Sequence, residues 1–283
     1  MSGWDSFVMV DWSSGNDRGP TPKKDAIWIG AVLAGCECEP VYQRNRQIAE
    51  ATLAALIEDE LRSGRRLMIG FDFPFGYPEG FAHHVVSRPD PLALWDWFAA
   101  HLFDTPEANN RFDLAGRLNH LFPGIGPFWF NGLKRDIPDL PHKGTDRRDH
   151  GMPERRHAEA QAKGTFPLWQ MGGAGAVGGQ AMTGMATLSR LRARFLGTIS
   201  VWPFEPLNTR VAFVEIWPSL IGRQVALQAD AIKDCAQVRC LARAMSRLQP
   251  AELDRMLDVA APEEGWIMGL GFESLLEGAV CPA

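Results

Sequence analysis

One short segment near the start of the sequence constrains the fold more than any other. Phe7–Val10 is a run of four apolar residues that leads directly to Asp11, and Trp12, two serines and a glycine follow. An apolar run that contains valines is typical of a buried β-strand. A carboxylate at the end of such a strand has to be hydrogen-bonded, paired or bound to a metal, because burying it alone is too costly. The simpler alternative is that Asp11 caps the turn that follows.

A second segment repeats this pattern. Arg66–Asp72 is again an apolar run that ends in an acid, and a helix predicted at about 47–62 precedes it. A helical crossover implies that this strand runs parallel to an earlier one. If the two strands are neighbours, Asp11 and Asp72 lie side by side at the sheet edge where open α/β proteins bind ligands. Two like charges at that distance favour a divalent cation or a shared proton.

The remaining pattern mixes strands and helices, which predicts an α/β fold with a mixed sheet of five or six strands. Further strands are predicted at about 26–33, 40–43, 201–204 and 211–217, and further helices at about 90–102, 105–121, 153–163, 180–195 and 263–276, with another amphipathic helix that includes 238–248. The section at about 77–198 is rich in Pro and Gly and mostly helical. We interpret it as an insertion, serving as a lid over the sheet edge, within a single domain of 283 residues.

Composition excludes several classes of protein. The chain is 46% hydrophobic and 22% charged, which is typical of an ordinary globular protein with an ample core. Its net charge of −5 argues against a protein that coats nucleic acid nonspecifically. Its five cysteines form no C-x-x-C pair, so neither a disulfide framework nor a zinc knuckle is indicated. Without a signal-peptide pattern or an apolar run of about 18 residues, we expect a cytoplasmic protein with no membrane partner.

Three segments carry a resemblance to a known family. They are Val-Asp-Trp-Ser at 10–13, Gly-Phe-Asp-Phe-Pro-Phe-Gly at 70–76 and Val-Glu-Ile-Trp-Pro-Ser at 214–219. They resemble the signature segments of an uncharacterised family of predicted ribonuclease H-like nucleases, domain of unknown function 429. The Lys233-Asp234 pair is also similar to that family.

The resemblance implies a ribonuclease H-like fold and a hydrolase of phosphodiester or phosphate-ester bonds that depends on Mg²⁺ or Mn²⁺. It implies that Asp11, Asp72 and Glu215 are the catalytic acids and metal ligands. An acid near the start of the last predicted helix, Glu263 or Glu264, is the expected fourth ligand, with Glu264 preferred. The implied partner is nucleic acid or a phosphorylated small molecule.

Several polar residues are candidates for substrate binding. Ser13 follows Asp11 and either positions a phosphate or satisfies its own turn. Lys233 is expected to contact a phosphate, with Asp234 as an outer acid. In the predicted insertion, Lys143, Arg155 and Arg156 belong to a group of cations that follows Phe128–Phe130. Cations interleaved with aromatic residues suit phosphate contact and base stacking, although nearby acids equally suit a salt-bridged surface.

Two other functions stay open from the sequence. The first is a nucleotide-binding or phosphotransferase protein of the actin-like kinase type, whose first strand also ends in an acid followed by small residues. The second is a non-catalytic binding protein in a cofactor pathway, cobalamin being one example, because some bacterial relatives in the resembling family carry such labels.

Overall fold

A computed structural model describes residues 3–280 and shows an α/β protein with a mixed sheet of six strands flanked by helices. The strands are β1 (Ser6–Asp11), β2 (Ile27–Leu33), β3 (Cys36–Gln43), β4 (Leu67–Phe71), β5 (Ile199–Val201) and β6 (Val211–Glu215). Their order across the sheet is β3-β2-β1-β4-β6-β5. The predicted α/β class is therefore confirmed.

Strand direction follows from the connections. A long irregular connection, residues 12–26, joins β1 to β2, a tight turn at Ala34-Gly35 joins β2 to β3, and both pairs are antiparallel. A helix separates β3 from β4, and β4 runs parallel to β1 on one side and to β6 on the other. The last pair, β5 and β6, is also parallel. The carboxyl ends of β1, β4 and β6 consequently meet at the same edge of the sheet.

Ten α-helices occur within residues 3–280. They are α1 (Arg46–Arg62), α2 (Phe81–Val86), α3 (Pro91–His101), α4 (Arg111–Asn119), α5 (His157–Gln161), α6 (Gly178–Arg194), α7 (Gly222–Ala226), α8 (Lys233–Arg247), α9 (Pro250–Leu257) and α10 (Glu273–Val280). Two begin as the sequence predicts. Asn45 caps α1 by accepting a hydrogen bond from the Ile48 N–H, and Asp90 caps α3 just before a first-turn proline. Within the described residues no helix is both long and apolar enough to cross a membrane.

The two faces of the sheet carry different helices. Gly30 of β2 pairs with Met9 and faces α8 so closely that a Cβ there would lie 2.6 Å from the Val238 carbonyl carbon. On the other face the Ser6 hydroxyl donates a 2.6 Å hydrogen bond to Glu60 of α1. Because side chains alternate along a strand, the odd-numbered residues of β1 face α8 and the even-numbered ones face α1.

The chain divides into two compact units. Among residues 3–280, the first unit contains the sheet and consists of residues 3–72, Leu191–Ala260 and residues 267–280. The second consists of Phe73–Arg190 together with Ala261–Trp266. The sequence predicts an insertion with similar limits, but not the return of the short segment from Ala261 to the second unit. The role of the insertion as a lid stays a prediction.

An aromatic cluster forms the core of the second unit. Tyr77 stacks on Phe81 with ring centroids 4.3 Å apart, and Phe98, Phe128 and Trp169 pack around the same ring. All five side chains are buried. Their burial supplies the hydrophobic stabilisation that a unit with short helices and long connections needs.

Several predicted elements are displaced in the structure. The strand predicted at 201–204 is wrong, since β5 ends at Val201 and a turn follows. The predicted helix at 105–121 begins only at Arg111, and the one at 153–163 shortens to α5. The final helix, α10, begins at Glu273 and not at 263.

Candidate functional site

The first strand-end acid lies beside the second, as predicted. The register of β1 and β4 pairs Val10 with Phe71, and the Asp72 N–H donates to the Val10 carbonyl at 3.2 Å. This places Asp11 and Asp72 next to each other on adjacent parallel strands. Both are partly exposed at the carboxyl edge of the sheet. The predicted pairing of the two carboxylates is confirmed.

The carboxylate of Asp72 also completes the pairing of the strands. In a parallel ladder the Trp12 N–H would next meet a main-chain carbonyl of the facing strand. Here it donates instead to Asp72 Oδ1, at 2.7 Å. The Asp72 side chain is therefore fixed by the backbone of β1.

A third acid, Asp234, joins this pair from the first turn of α8. Its Oδ2 accepts a hydrogen bond from the Asp25 N–H at 2.7 Å. Its charge acts on both Asp11 and Asp72 and raises the pKa of each carboxyl. The sequence interpretation treats Asp234 as an outer acid beside Lys233, whereas the structure makes it a direct neighbour in the cluster. We call Asp11, Asp72 and Asp234 the acid cluster.

The electrostatics of the acid cluster are unfavourable without a counter-charge. Burial is the main cause that raises the pKa of Asp11 well above its usual range, and the charges of Asp72, Asp234 and Asp25 add to it. Burial also raises the pKa of Asp72, partly opposed by the Trp12 N–H, and raises that of Asp234, partly opposed by the Asp25 N–H. The cluster therefore favours a bound proton or a cation over three free carboxylates.

Lys233 is the predicted substrate contact that lies near the acid cluster. It is exposed at the start of α8, and its charge lowers the pKa of Asp11, the opposite effect to that of the neighbouring acids. One exposed ammonium offsets only part of the repulsion among three carboxylates. A phosphate contact for Lys233 stays a prediction.

Ser13 lies in a loop whose main chain is hydrogen-bonded to a buried arginine. Its hydroxyl donates to the Asp25 carbonyl at 3.2 Å and accepts from the Gly15 N–H at 3.3 Å. The Arg46 guanidinium, with a side chain only 1% exposed, donates to the carbonyls of Ser13 and Gly15. These contacts show the turn role for Ser13 that the sequence left open beside phosphate binding.

Glu215, the third predicted ligand, lies on the wrong face of the sheet. It pairs in register with Phe71, so its side chain shares the face of Phe71 and Val10, which is the face toward α1. Asp11 and Asp72 are each one residue further along and point to the α8 face. Glu215 is also only 2% exposed. The register and the burial therefore disfavour Glu215 as a catalytic acid and metal ligand with Asp11 and Asp72, and that role stays a prediction.

Glu264, the fourth predicted ligand, belongs to the second unit and caps main-chain groups there. Oε1 accepts from the Glu79 N–H at 2.9 Å, and Oε2 lies 2.7 Å from both the N–H and the Nδ1 of His157. Oε1 of the neighbouring Glu263 accepts a hydrogen bond from the Gly80 N–H at 2.8 Å. These structural contacts replace the predicted metal-binding role of Glu264.

Arg156 is not a substrate contact. Its side chain is fully buried, Nε donates to Glu159 Oε1 at 2.9 Å, and a terminal nitrogen donates to the Glu264 carbonyl at 2.8 Å. The predicted phosphate contact for Arg156 is therefore wrong. Arg155 donates to Thr165 at the surface of the second unit, and Lys143 is exposed there. Substrate binding by these two residues stays a prediction.

The donor set of the acid cluster consists of carboxylate oxygens, the ligands that Mg²⁺ and Mn²⁺ prefer. The binding of a divalent cation by Asp11, Asp72 and Asp234 stays a prediction. In the conformation described for residues 3–280, no three His, Cys, Asp or Glu side chains are already arranged around one metal position.

Only local signals are available for finding Asp234 from sequence. It is an acid in the first turn of a strongly amphipathic helix that follows the last strand of the sheet. Comparison of the chain with protein-family models, with curated proteins and with solved structures finds no match. The assignment of the site consequently rests on the geometry and electrostatics of the chain itself.

Proposed function

We propose that the protein is a divalent-metal-dependent hydrolase of phosphodiester or phosphate-ester bonds, with the acid cluster as its metal-binding site. The observation that carries the proposal is the convergence of Asp11, Asp72 and Asp234 at the carboxyl edge of parallel strands. Each of the three carboxyls has a raised pKa: Asp72 and Asp234 raise that of Asp11, Asp234 raises that of Asp72, and burial raises all three. Acids with perturbed pKa values are typical of functional sites.

The strand order supports a ribonuclease H-like fold. Three antiparallel strands, a crossover helix and further parallel strands give the order β3-β2-β1-β4-β6, with β5 added at the edge. In such a fold, acids from the first and fourth strands and from a late helix meet at one edge. In this proposal Asp11, Asp72 and Asp234 would fill those three places, and Asp234 would replace Glu264 as the acid from a late helix.

Each residue of the proposed site has a distinct task. The Trp12 N–H fixes the orientation of Asp72, and the Asp25 N–H fixes that of Asp234. Asp11 would hold the cation together with Asp72 and Asp234. A divalent cation in such a site activates water and stabilises the charge that develops on phosphate oxygens. Lys233 would attract the anionic substrate.

The test is hydrolysis of two chromogenic substrates, bis(p-nitrophenyl) phosphate and p-nitrophenyl phosphate, with Mn²⁺ or Mg²⁺. We expect cation-dependent release of nitrophenolate on one of them and a loss of about 100-fold or more in Asp72→Asn and Asp234→Asn, the scale on which removal of a key electrostatic group acts. Asp254→Asn is the matched control, because Asp254 is an exposed aspartate on α9 of the same unit. Activity that survives both cluster substitutions would contradict the proposal.

A further inference from the structure

Two cysteines lie at alternate positions on the edge strand β3. Cys36 is exposed and Cys38 is partly exposed, and both are free thiols. In the register of β3 with β2, Cys36 pairs with Leu33 and Cys38 with Ala31. Because alternate residues of a strand share a face, the two side chains leave the same face of the sheet.

The residues between and after them hold the strand in place from the opposite face. Glu37 receives two hydrogen bonds from Arg243, at 3.0 and 2.6 Å, and Glu39 receives two from Arg239, at 3.2 and 2.9 Å. Both arginines belong to α8. Two bidentate pairs on one face, together with the β2 ladder, keep this part of β3 extended and keep the thiols on the other face.

The spacing of the two thiols disfavours a disulfide. Residues two apart on an extended strand are separated by about 6.5 Å, and side chains on the same face leave it nearly in parallel. A disulfide needs Cβ atoms about 3.5–4.5 Å apart. Two thiolates on one soft metal ion lie up to about 4.6 Å apart, twice a bond of about 2.3 Å. Each sulfur then has to lean inward only by about an ångström.

The Cys38 thiol already contacts the residue that carries its partner. It donates to the carbonyl of Cys36, with 3.7 Å between sulfur and oxygen. The exposed Cys36 side chain has room to rotate toward it. A linear site of two thiolates suits Cu(I), a soft ion, whereas structural zinc takes four protein ligands.

We propose that Cys36 and Cys38 together bind one cuprous ion. Two S–H bonds break and two Cu–S bonds form, so that Cu⁺ and two thiols give a bis-thiolate complex and two released protons, with no change of oxidation state. This site is separate from the acid cluster in residues and in ligand chemistry, and it does not depend on the proposed hydrolase function.

The test is competition for Cu(I) between the fully reduced protein and bicinchoninate under anaerobic conditions. We expect the wild type to remove one cuprous ion per chain from the coloured complex, and Cys36→Ser and Cys38→Ser each to lose this ability. Cys235→Ser is the matched control, because Cys235 is a partly exposed thiol on α8, and it should bind like the wild type. A thermal melt checks that the serine variants are folded, as expected for positions near the surface.

Three results would overturn the proposal. They are a wild type that takes up no Cu(I), serine variants that bind as well as the wild type, and a stoichiometry of one ion per two chains with a dimer in size-exclusion chromatography. The last would assign the ion to an intermolecular bridge. None of these results bears on hydrolysis, and loss of hydrolytic activity would not alter the expected Cu(I) binding.

Discussion

The partly exposed acid cluster and the buried Arg156 region of the second unit both gather charged side chains, with opposite electrostatic outcomes. In the Arg156 region each charge has its partners: Arg156 binds Glu159, and Glu264 accepts from main-chain N–H groups. In the acid cluster, Asp72 and Asp234 each accept one main-chain N–H, yet burial and neighbouring carboxylates still raise the pKa of all three acids. The difference shows two ways in which a protein accommodates a charged side chain: with a full set of partners, or with a raised pKa.

The largest effect is expected from removing the guanidinium of the buried Arg156–Glu159 ion pair. In Arg156→Met, Glu159 is left as a buried carboxylate without its guanidinium, which should lower the free energy of unfolding by about 3–5 kcal/mol. Arg155→Met is the control, because Arg155 is exposed and donates to Thr165. Its loss in the free energy of unfolding should stay within about 1 kcal/mol. Urea denaturation measures both. Equal losses of unfolding free energy in the two variants would mean that the Arg156–Glu159 ion pair does not stabilise the fold.

A second pair of substitutions should change stability in opposite directions. Glu264→Gln replaces a carboxylate that accepts from the Glu79 and His157 N–H groups, and should destabilise by about 1–3 kcal/mol. Asp72→Asn keeps an oxygen for the Trp12 N–H but removes one of three repelling charges. With a chelator at pH 7 it should stabilise by about 1 kcal/mol. Thermal melts test the sign. Destabilisation by Asp72→Asn would contradict the unfavourable electrostatics of the cluster.

The pH dependence of stability should also report the repulsion among the carboxylates of the acid cluster. The raised pKa values of Asp11 and Asp72 mean that the folded state holds protons that the unfolded state has released. Their contribution to stability is full below the unfolded pKa of about 3.9 and is lost as pH rises through the folded pKa values. With a chelator, wild type should therefore lose stability relative to Asp72→Asn as pH rises above about 4. A constant difference across that range would contradict the assigned shifts.

The smallest effect is expected at Lys233. This exposed ammonium lowers the pKa of Asp11. Lys233→Gln should therefore raise that pKa further, so that the loss of stability with rising pH extends to higher pH. The change in the free energy of unfolding should stay below about 1 kcal/mol, the range of exposed charge interactions. The same chelated melts measure it. A shift toward lower pH would show that Lys233 does not act on the cluster.

The pairing of Asp11 with Asp72 is the part of the site that the sequence predicts well. Each acid directly follows an apolar strand, and the helix before Arg66 requires the parallel arrangement that brings the strand ends together. Most of the central strands and α1 are predictable for the same local reasons. The division at Phe73, after the second acid, is also marked by a change to Pro- and Gly-rich sequence.

The other ligands depend on long-range geometry that local patterns do not contain. Glu215 ends a strand in the same way as Asp72, but the one-residue difference in register puts it on the opposite face. Asp234 reaches the cluster only because α8 packs over Gly30 and its first turn meets Asp25. Glu264 follows α9 along the chain, yet its segment folds with the second unit. In each case packing over more than 100 residues decides the place of the side chain.

The most direct test of the acid cluster is a titration of Mn²⁺ and Mg²⁺ followed by thermal melts of wild type, Asp72→Asn, Asp234→Asn and the control Asp254→Asn. A cation that binds only the folded state stabilises it by about 2.7 kcal/mol at 100 times its dissociation constant. The account predicts a rise in melting temperature of several degrees in wild type and Asp254→Asn, and little or none in the two cluster variants. Equal stabilisation of all four proteins, or of none, would contradict a divalent cation site at Asp11, Asp72 and Asp234.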